Sequence, residues 1–190
     1  MAQPPDPVTL LAFGHGLATR DQLASLLHHA GVQVVVGVRT APGSRRNPDA
    51  GRGALASWLP QHGIDYRWEP RLGGFRKAAP ESPDTFWENT SFRGYAGYSR
   101  HPDFIAAMDE LLTKASVTRT AVMCGETLWW CCHRRIIADF AVLARCARVQ
   151  HLAHNGRLTE RRPTGGARLR DDGLLVFDGQ PGPSSGGLSE

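Results

Sequence analysis

From residue 118 to residue 139 the chain runs T-R-T-A-V-M-C-G-E-T-L-W-W-C-C-H-R-R-I-I-A-D. Cys124, Glu126, Cys132, His133 and Arg134 lie within it, with Trp129 and Trp130 between, a density of thiol, carboxylate, imidazole and guanidinium found nowhere else in the chain. A thiol beside an imidazole can act as an activated nucleophile, and a carboxylate can move protons once burial or a neighbouring charge brings its pKa toward neutrality. Adjacent residues on a helix point about a quarter-turn apart, so His133 is a poor direct base for Cys132; partnership across the loop, Cys124 with His133, is easier. The same three residues are soft or borderline metal ligands, and His15 from another loop could complete four, although no paired C-x-x-C occurs. Plainer roles compete: inert buried thiols for the cysteines, and a salt bridge to Arg134, Arg45 or Arg39 for Glu126.

These residues need a frame. Residues 120–123 have the composition of the end of a buried strand, while Ile136, Ile137, Phe140 and Leu143 recur at helical spacing, so a strand-to-helix loop is expected between them. A helix opening at Cys132 would present free backbone N–H groups and a positive dipole end, favouring anions and a lowered thiol pKa. Upstream, residues 8–13 read as a strand, then Gly14-His15-Gly16, a helix starting at Thr19 with capping-box spacing to Gln22, and a β-branched strand over 32–38. Residues 39–53 form a basic loop with four arginines, followed by a short helix over 54–61 and a third strand over 64–68.

The connection over 69–91 is long enough to be a lid or binding loop. Phe92, Tyr95 and Tyr98 then share a helical face, and residues 102–114 give a helix with Pro102 in its first turn and Phe104, Ile105, Met108, Leu111 and Leu112 inward. After the helix that follows Cys132, expected to reach about residue 147, residues 149–153 read as a fifth strand. Asn155-Gly156 and Asp172-Gly173 signal two hairpins. The organisation expected is a flexible N-terminus over 1–7, one α/β domain over 8–178 and a disordered tail over 179–190.

Strands alternating with helices predict an open, mostly parallel sheet with helices on both faces, plus a C-terminal hairpin region. In such sheets ligands bind beyond the carboxyl ends of the strands, which would gather His15, Arg39, Ser44, Arg45, Arg46, Cys124 and Glu126 on one rim. Arg39, Arg45, Arg46 and Arg134 suit a phosphate clamp, against a merely solvated basic loop. Tyr95, Tyr98 and Trp129 could stack a base, although such aromatics also pack lids onto cores.

The residues Gly14-His15, Val38-Arg39 with Pro42 and Ser44-Arg45, Leu72-Gly73-Gly74, Phe92-x-Gly94-Tyr95-Ala96-x-Tyr98 and Met123-Cys124-x-Glu126-x5-Cys132-His133-Arg134-x-Ile136-Ile137-Ala138-Asp139 resemble the family catalogued as Domain of Unknown Function 488. The resemblance extends to the T-G-G-A-R-L segment over 164–169 and implies a fold and a site, not a reaction. There are three departures from the family pattern: Gly37 stands where Asp is usual before Val-Arg, Gly16-Leu17 replace Ser-Asn, and Trp129 replaces a common Pro.

The net charge of +4 mildly favours an anionic partner, and no apolar run approaches the roughly 20 residues of a membrane span. Four cysteines clustered over 124–146 fit thiols in a reducing compartment, so a cytoplasmic location is expected. No cofactor is required by the sequence; a metal at Cys124, Cys132 and His133 is compatible with it. The leading expectation is a small enzyme, hydrolase or transferase, acting on the base or glycosidic bond of a phosphate-bearing nucleotide or nucleic-acid component. Cys124, Glu126, Cys132 and His133 would be catalytic; the rim arginines would hold phosphate. A non-catalytic nucleic-acid or polyanion binder and a thiol or metal-based sensor are the alternatives.

Overall fold

The computed structural model describes residues 6–41 and 43–179. The expected N-terminal arm and C-terminal tail fall almost wholly outside these residues, as does Pro42. Strand β1 (Thr9–Gly14) leads through helix α1 (Arg20–His29) to β2 (Val34–Gly37), α2 (Arg52–Trp58) and β3 (Asp65–Trp68). Helices α3 (Thr90–Tyr98) and α4 (Pro102–Ala115) precede β4 (Thr120–Cys124), α5 (Arg134–Arg145), β5 (Arg148–Leu152), β6 (Leu158–Glu160), β7 (Ala167–Leu169) and β8 (Leu175–Phe177).

The six-stranded sheet has the order β3-β2-β4-β1-β5-β6, parallel except where β6 returns antiparallel beside β5; β7 and β8 form a separate antiparallel pair. This is the α/β architecture expected, with both C-terminal hairpin signals realised: Gly156 and Gly173 take positive φ of 82° and 78° at the turns. Strand alternation explains the continuous apolar runs. Leu10, Ala12, Val34, Val36, Val122 and Cys124 face one core with α3, α4 and α5, while Leu11, Phe13, Val35, Ala121 and Met123 face the other with α1 and α2. Because β1, β2 and β4 are parallel neighbours, their carboxyl ends open on the same edge.

Several boundaries differ from expectation. Strand β2 is shorter than 32–38, because Val32 N–H is already spent on the Leu27 carbonyl closing α1 and Val38 lies past the last register pair. The helix expected over 54–61 starts earlier, at Arg52, and ends at Trp58, with a separate 3-10 turn over Pro60–His62 as Pro60 breaks the α ladder. Helix α5 opens at Arg134 instead of Cys132: a 3-10 turn over Trp129–Cys131 is followed by Cys132 in extended conformation, φ −132° and ψ 147°. Its end comes at Arg145 because Cys146 adopts a left-handed φ of 52°.

On β5, His151 is buried against Trp129, the rings stacked with centroids 4.7 Å apart and an interplanar angle of 8°. Neither ring nitrogen has a hydrogen-bond partner. Burial, then the charges of Arg161 and Arg134, push its pKa down to about 3 from the ordinary 6.5. The folded protein therefore keeps His151 neutral where the unfolded chain protonates it, so its contribution to stability is present above about pH 6.5 and is lost as pH falls toward about 3. Urea midpoints measured across that window should fall less steeply in His151→Leu than in the parent; parallel slopes would contradict this assignment.

Candidate functional site

The loops after β1, β2 and β4 are tied edge to edge. His15 N–H donates to the Cys124 carbonyl at 3.0 Å, Gly16 N–H to the Gly125 carbonyl at 2.9 Å, and Val38 N–H to the Met123 carbonyl at 3.0 Å. Asn47, which the sequence did not single out, joins the basic loop to the first: its Nδ2 donates to the carbonyls of Gly16 and Ala18 at 3.2 and 2.8 Å.

At the base of this edge Cys124 and Cys132 are buried, and both sulfurs face His133 Nδ1, at 3.7 and 3.8 Å. His133 Nε2 donates to the Val38 carbonyl at 2.8 Å, so Nδ1 is the nitrogen left to exchange a proton or a ligand with the sulfurs. The extended conformation of Cys132 turns its thiol back toward β4, where Arg134 N–H meets it at 3.5 Å, while Cys131 beside it is exposed. The ring of Tyr95 packs edge-on against His133 at 4.9 Å and its hydroxyl donates to the Leu72 carbonyl at 2.7 Å.

The two thiols are driven apart in acidity. The hydrogen bond from Cys132 holds the Cys124 thiol well below its usual range, with burial opposing and the His133 charge assisting. Burial, then the bond and charge of Cys124, drives Cys132 well up. For His133 burial lowers the pKa, but the charge and hydrogen bond of Cys124, with the Val38 carbonyl, outweigh it and raise it. The shifts run in opposite directions, favouring charge on Cys124 and His133 and disfavouring it on Cys132.

A cavity of about 710 Å³ opens above them, bordered also by His15, Arg39, Ser44, Arg45, Arg46, Tyr95 and Glu126. His15 is buried, with Nδ1 donating to the Gly16 carbonyl at 2.8 Å; Nε2 is left as a lone pair without a partner. Burial first, then the Arg39 charge, lowers its pKa and keeps it neutral near pH 7. The half-buried Arg39 guanidinium bonds the carbonyls of Gly43 and Ala50, holding the loop that carries exposed Arg45 and Arg46. Ser44 Oγ accepts from Asn47 N–H at 3.0 Å. Phe75, another residue the sequence did not single out, is 87% exposed at the cavity with φ of 58°; its only sequence signal was the Leu72-Gly73-Gly74 run before it.

Not every expected site residue reaches this space. Arg134 is buried, with Nη1 on the Glu126 carbonyl and Nη2 on the Thr127 carbonyl at 2.8 Å, so it clamps its own loop instead of facing a ligand. Tyr98 lies outside the cavity wall, because α3 turns its hydroxyl onto the Arg71 carbonyl and Arg76 covers its ring at 3.7 Å. Trp129 also points away, held between His151 and the Arg161 guanidinium, 4.6 Å from the ring centroid. Glu126 is exposed in the cavity wall, and among the described residues it makes no ion pair, so the anticipated bridge to Arg134, Arg45 or Arg39 is absent.

Gly37 has a structural counterpart. A Cβ there would stand 2.7 Å from the Tyr66 hydroxyl, which is buried without a hydrogen-bond partner. Tyr66 fills the space into which a longer residue at position 37 would project.

The family model described as "Domain of unknown function DUF488" matches residues 19–141, well over half of the chain and inclusive of the basic loop, Phe75 and the Cys124–His133 segment. No curated protein matches the chain. A crystal structure from Shewanella putrefaciens CN-32, described as "Putative phosphatase (DUF442)", is 23% identical, covers 76% of this chain and 71% of that one, and superposes with a TM-score of 0.35, too distant to speak to the chemistry here. Among the described residues no helix is long and apolar enough to cross a membrane.

Proposed function

The chain belongs to the family described as domain of unknown function DUF488, and we propose that it is an enzyme, a hydrolase or transferase, acting in this cavity on a phosphate-bearing nucleotide or nucleic-acid component. The observation that carries the reading is the convergence of two unlike groups on one cavity: exposed Arg45 and Arg46 at its rim, and the buried Cys124 and Cys132 with half-buried His133 at its base. Charge-assisted hydrogen bonds from the arginines suit a phosphate. The exposed ring of Phe75 suits a base face.

Between rim and base stand two groups able to move protons. His15 offers a bare Nε2 for accepting one, and Glu126 a carboxylate open to the cavity. His133 is less suited to that task than its residue type suggests, because Nε2 is committed to a backbone carbonyl and Nδ1 to the sulfurs. It belongs instead with Cys124 and Cys132 as one reactive centre. A buried reactive centre under an anion-receiving rim favours catalysis over simple polyanion binding, for which the depth and the thiols would be idle.

The test is calorimetric titration with a nucleoside monophosphate. Arg45→Gln with Arg46→Gln should weaken binding by roughly ten- to a hundredfold, the loss of one to two charge-assisted hydrogen bonds, with the thermal unfolding curve unchanged because both side chains are exposed. Affinity equal to that of the parent would remove the phosphate from this rim. Turnover lost in His15→Gln with binding retained would separate an enzyme from a binder.

A further inference from the structure

Three functional atoms at the cavity base point at one spot: Cys124 Sγ, Cys132 Sγ and His133 Nδ1 all lie within 4.8 Å of one another. We propose that these three residues hold a zinc ion, with its fourth coordination position open to the cavity. The inference rests on the reading of the cavity as an active site and deepens it by naming what the reactive centre binds.

The distances fit. With zinc–sulfur near 2.3 Å and zinc–nitrogen near 2.0–2.1 Å, a tetrahedral ion sets sulfur and nitrogen ligands about 3.6 Å apart. The two sulfur-to-Nδ1 separations here are 3.7 and 3.8 Å. Both are close to the spacing of ligands around an ion, and the two sulfurs lie within 4.8 Å of each other.

The surroundings fit as well. A metal-ligating histidine characteristically donates its other ring N–H to a carbonyl or carboxylate, which fixes the tautomer that leaves a lone pair for the ion. His133 Nε2 does this to Val38 O at 2.8 Å, and the edge of Tyr95 holds the ring in place. Inert packing of two cysteines would not require an adjacent imidazole oriented at both sulfurs. Nor would it require Cys132 to leave the helical conformation so that its thiol faces Cys124 while Cys131 faces solvent. The sequence offers no C-x-x-C because the ligands come from a strand end and an extended residue eight positions on, brought together by tertiary structure instead of by a local knuckle.

Ligand chemistry selects the ion. Two thiolates and an imidazole in a tetrahedral set favour zinc over the oxygen-preferring magnesium, calcium or manganese. Two thiolates balance its charge, so the buried centre is neutral overall. Three protein ligands with a cavity at the fourth position is the pattern of a catalytic site, where zinc binds a water or a substrate oxygen. His15 Nε2 and the Glu126 carboxylate, both in the cavity wall, then serve as proton acceptors and donors toward that position.

The experiment is metal analysis of the full chain purified under reducing, chelator-free conditions, followed by cobalt substitution. About one zinc per chain is expected, and the cobalt form should show sulfur-to-cobalt charge-transfer absorption in the near ultraviolet. Both should be lost in Cys124→Ser and in Cys132→Ser and kept in Cys146→Ser, whose thiol is exposed and distant from the cluster. Should the serine variants fail to fold, competition of the unaltered reduced chain with a chromogenic chelator decides: zinc withdrawn from the chelator supports the site, and none withdrawn overturns it. A cobalt form without sulfur charge transfer, or metal retained in Cys124→Ser, overturns it too. A parallel titration with inorganic phosphate keeps the two readings apart. Phosphate binding that depends on Arg45 and Arg46 in a chain that takes no zinc would remove the metal and leave the cavity; zinc without such phosphate binding would do the reverse.

Discussion

Asp139→Ala should cost about 3–5 kcal/mol of unfolding free energy, because it strands the Arg161 guanidinium in the interior without its counter-charge. Asp139 and Arg161 side chains are 0% and 2% exposed. The carboxylate accepts from Arg161 Nε at 2.9 Å and Nη2 at 2.5 Å, and from Thr164 N–H at 3.2 Å and hydroxyl at 2.6 Å. Burial pushes the Asp139 carboxyl up despite Arg161 and Thr164, which hold it down. The intact pair therefore adds little net stability, while half of it is expensive. Urea denaturation should show the double change Asp139→Leu with Arg161→Met to be much less damaging than Asp139→Ala; equal losses would contradict the account. The network matters to the site because Asp139 lies on α5, whose first turn carries Arg134 directly after His133.

Gly14→Ala is the second large effect, and it falls on the site itself. A Cβ at Gly14 would overlap the Glu126 carbonyl carbon and oxygen and stand 2.7 Å from Arg134 Nη1. Two of these atoms are backbone, so nothing flexible can yield. The loop after β4 would have to move outward, breaking the Arg134 clamp on Glu126 and Thr127 and the His15–Cys124 and Gly16–Gly125 ties. A loss of about 1–3 kcal/mol is expected by analogy with overpacked cores. Amide exchange of residues 125–127 should accelerate with it. Parent-like stability together with parent-like exchange would mean that the close approach of the two loops is not required.

The architecture was legible because its signals are periodic: alternation in buried strands, helical spacing over 102–114, and Asn-Gly or Asp-Gly at the hairpins. Where it was misjudged, tertiary contacts outweighed local pattern. Cys132 looked like the first residue of a helix because apolar spacing resumes at Ile136; its extended conformation is set by the approach of its thiol to Cys124 and His133, which no local pattern encodes. The placing of His15, Arg39, Ser44, Arg45, Arg46, Cys124 and Glu126 around one cavity followed from the parallel-sheet rule. The direction of individual side chains did not. Arg134 and Trp129 carried the residue types of a binding site, yet one spends its charge on backbone carbonyls and the other packs against His151. Phe75 and Asn47 were missed because nothing near them in sequence marks a left-handed backbone or a cross-loop amide.

The most direct measurement is a crystal structure of the chain with a nucleoside monophosphate bound. The phosphate should lie within hydrogen-bond reach of Arg45 or Arg46, the base should lie against Phe75, and the rest of the ligand should face Cys124, Cys132 and His133 across His15. A ligand seated on another face, or one held at the rim with that cluster sealed from it by protein, would contradict the claim that rim and base serve a single cavity.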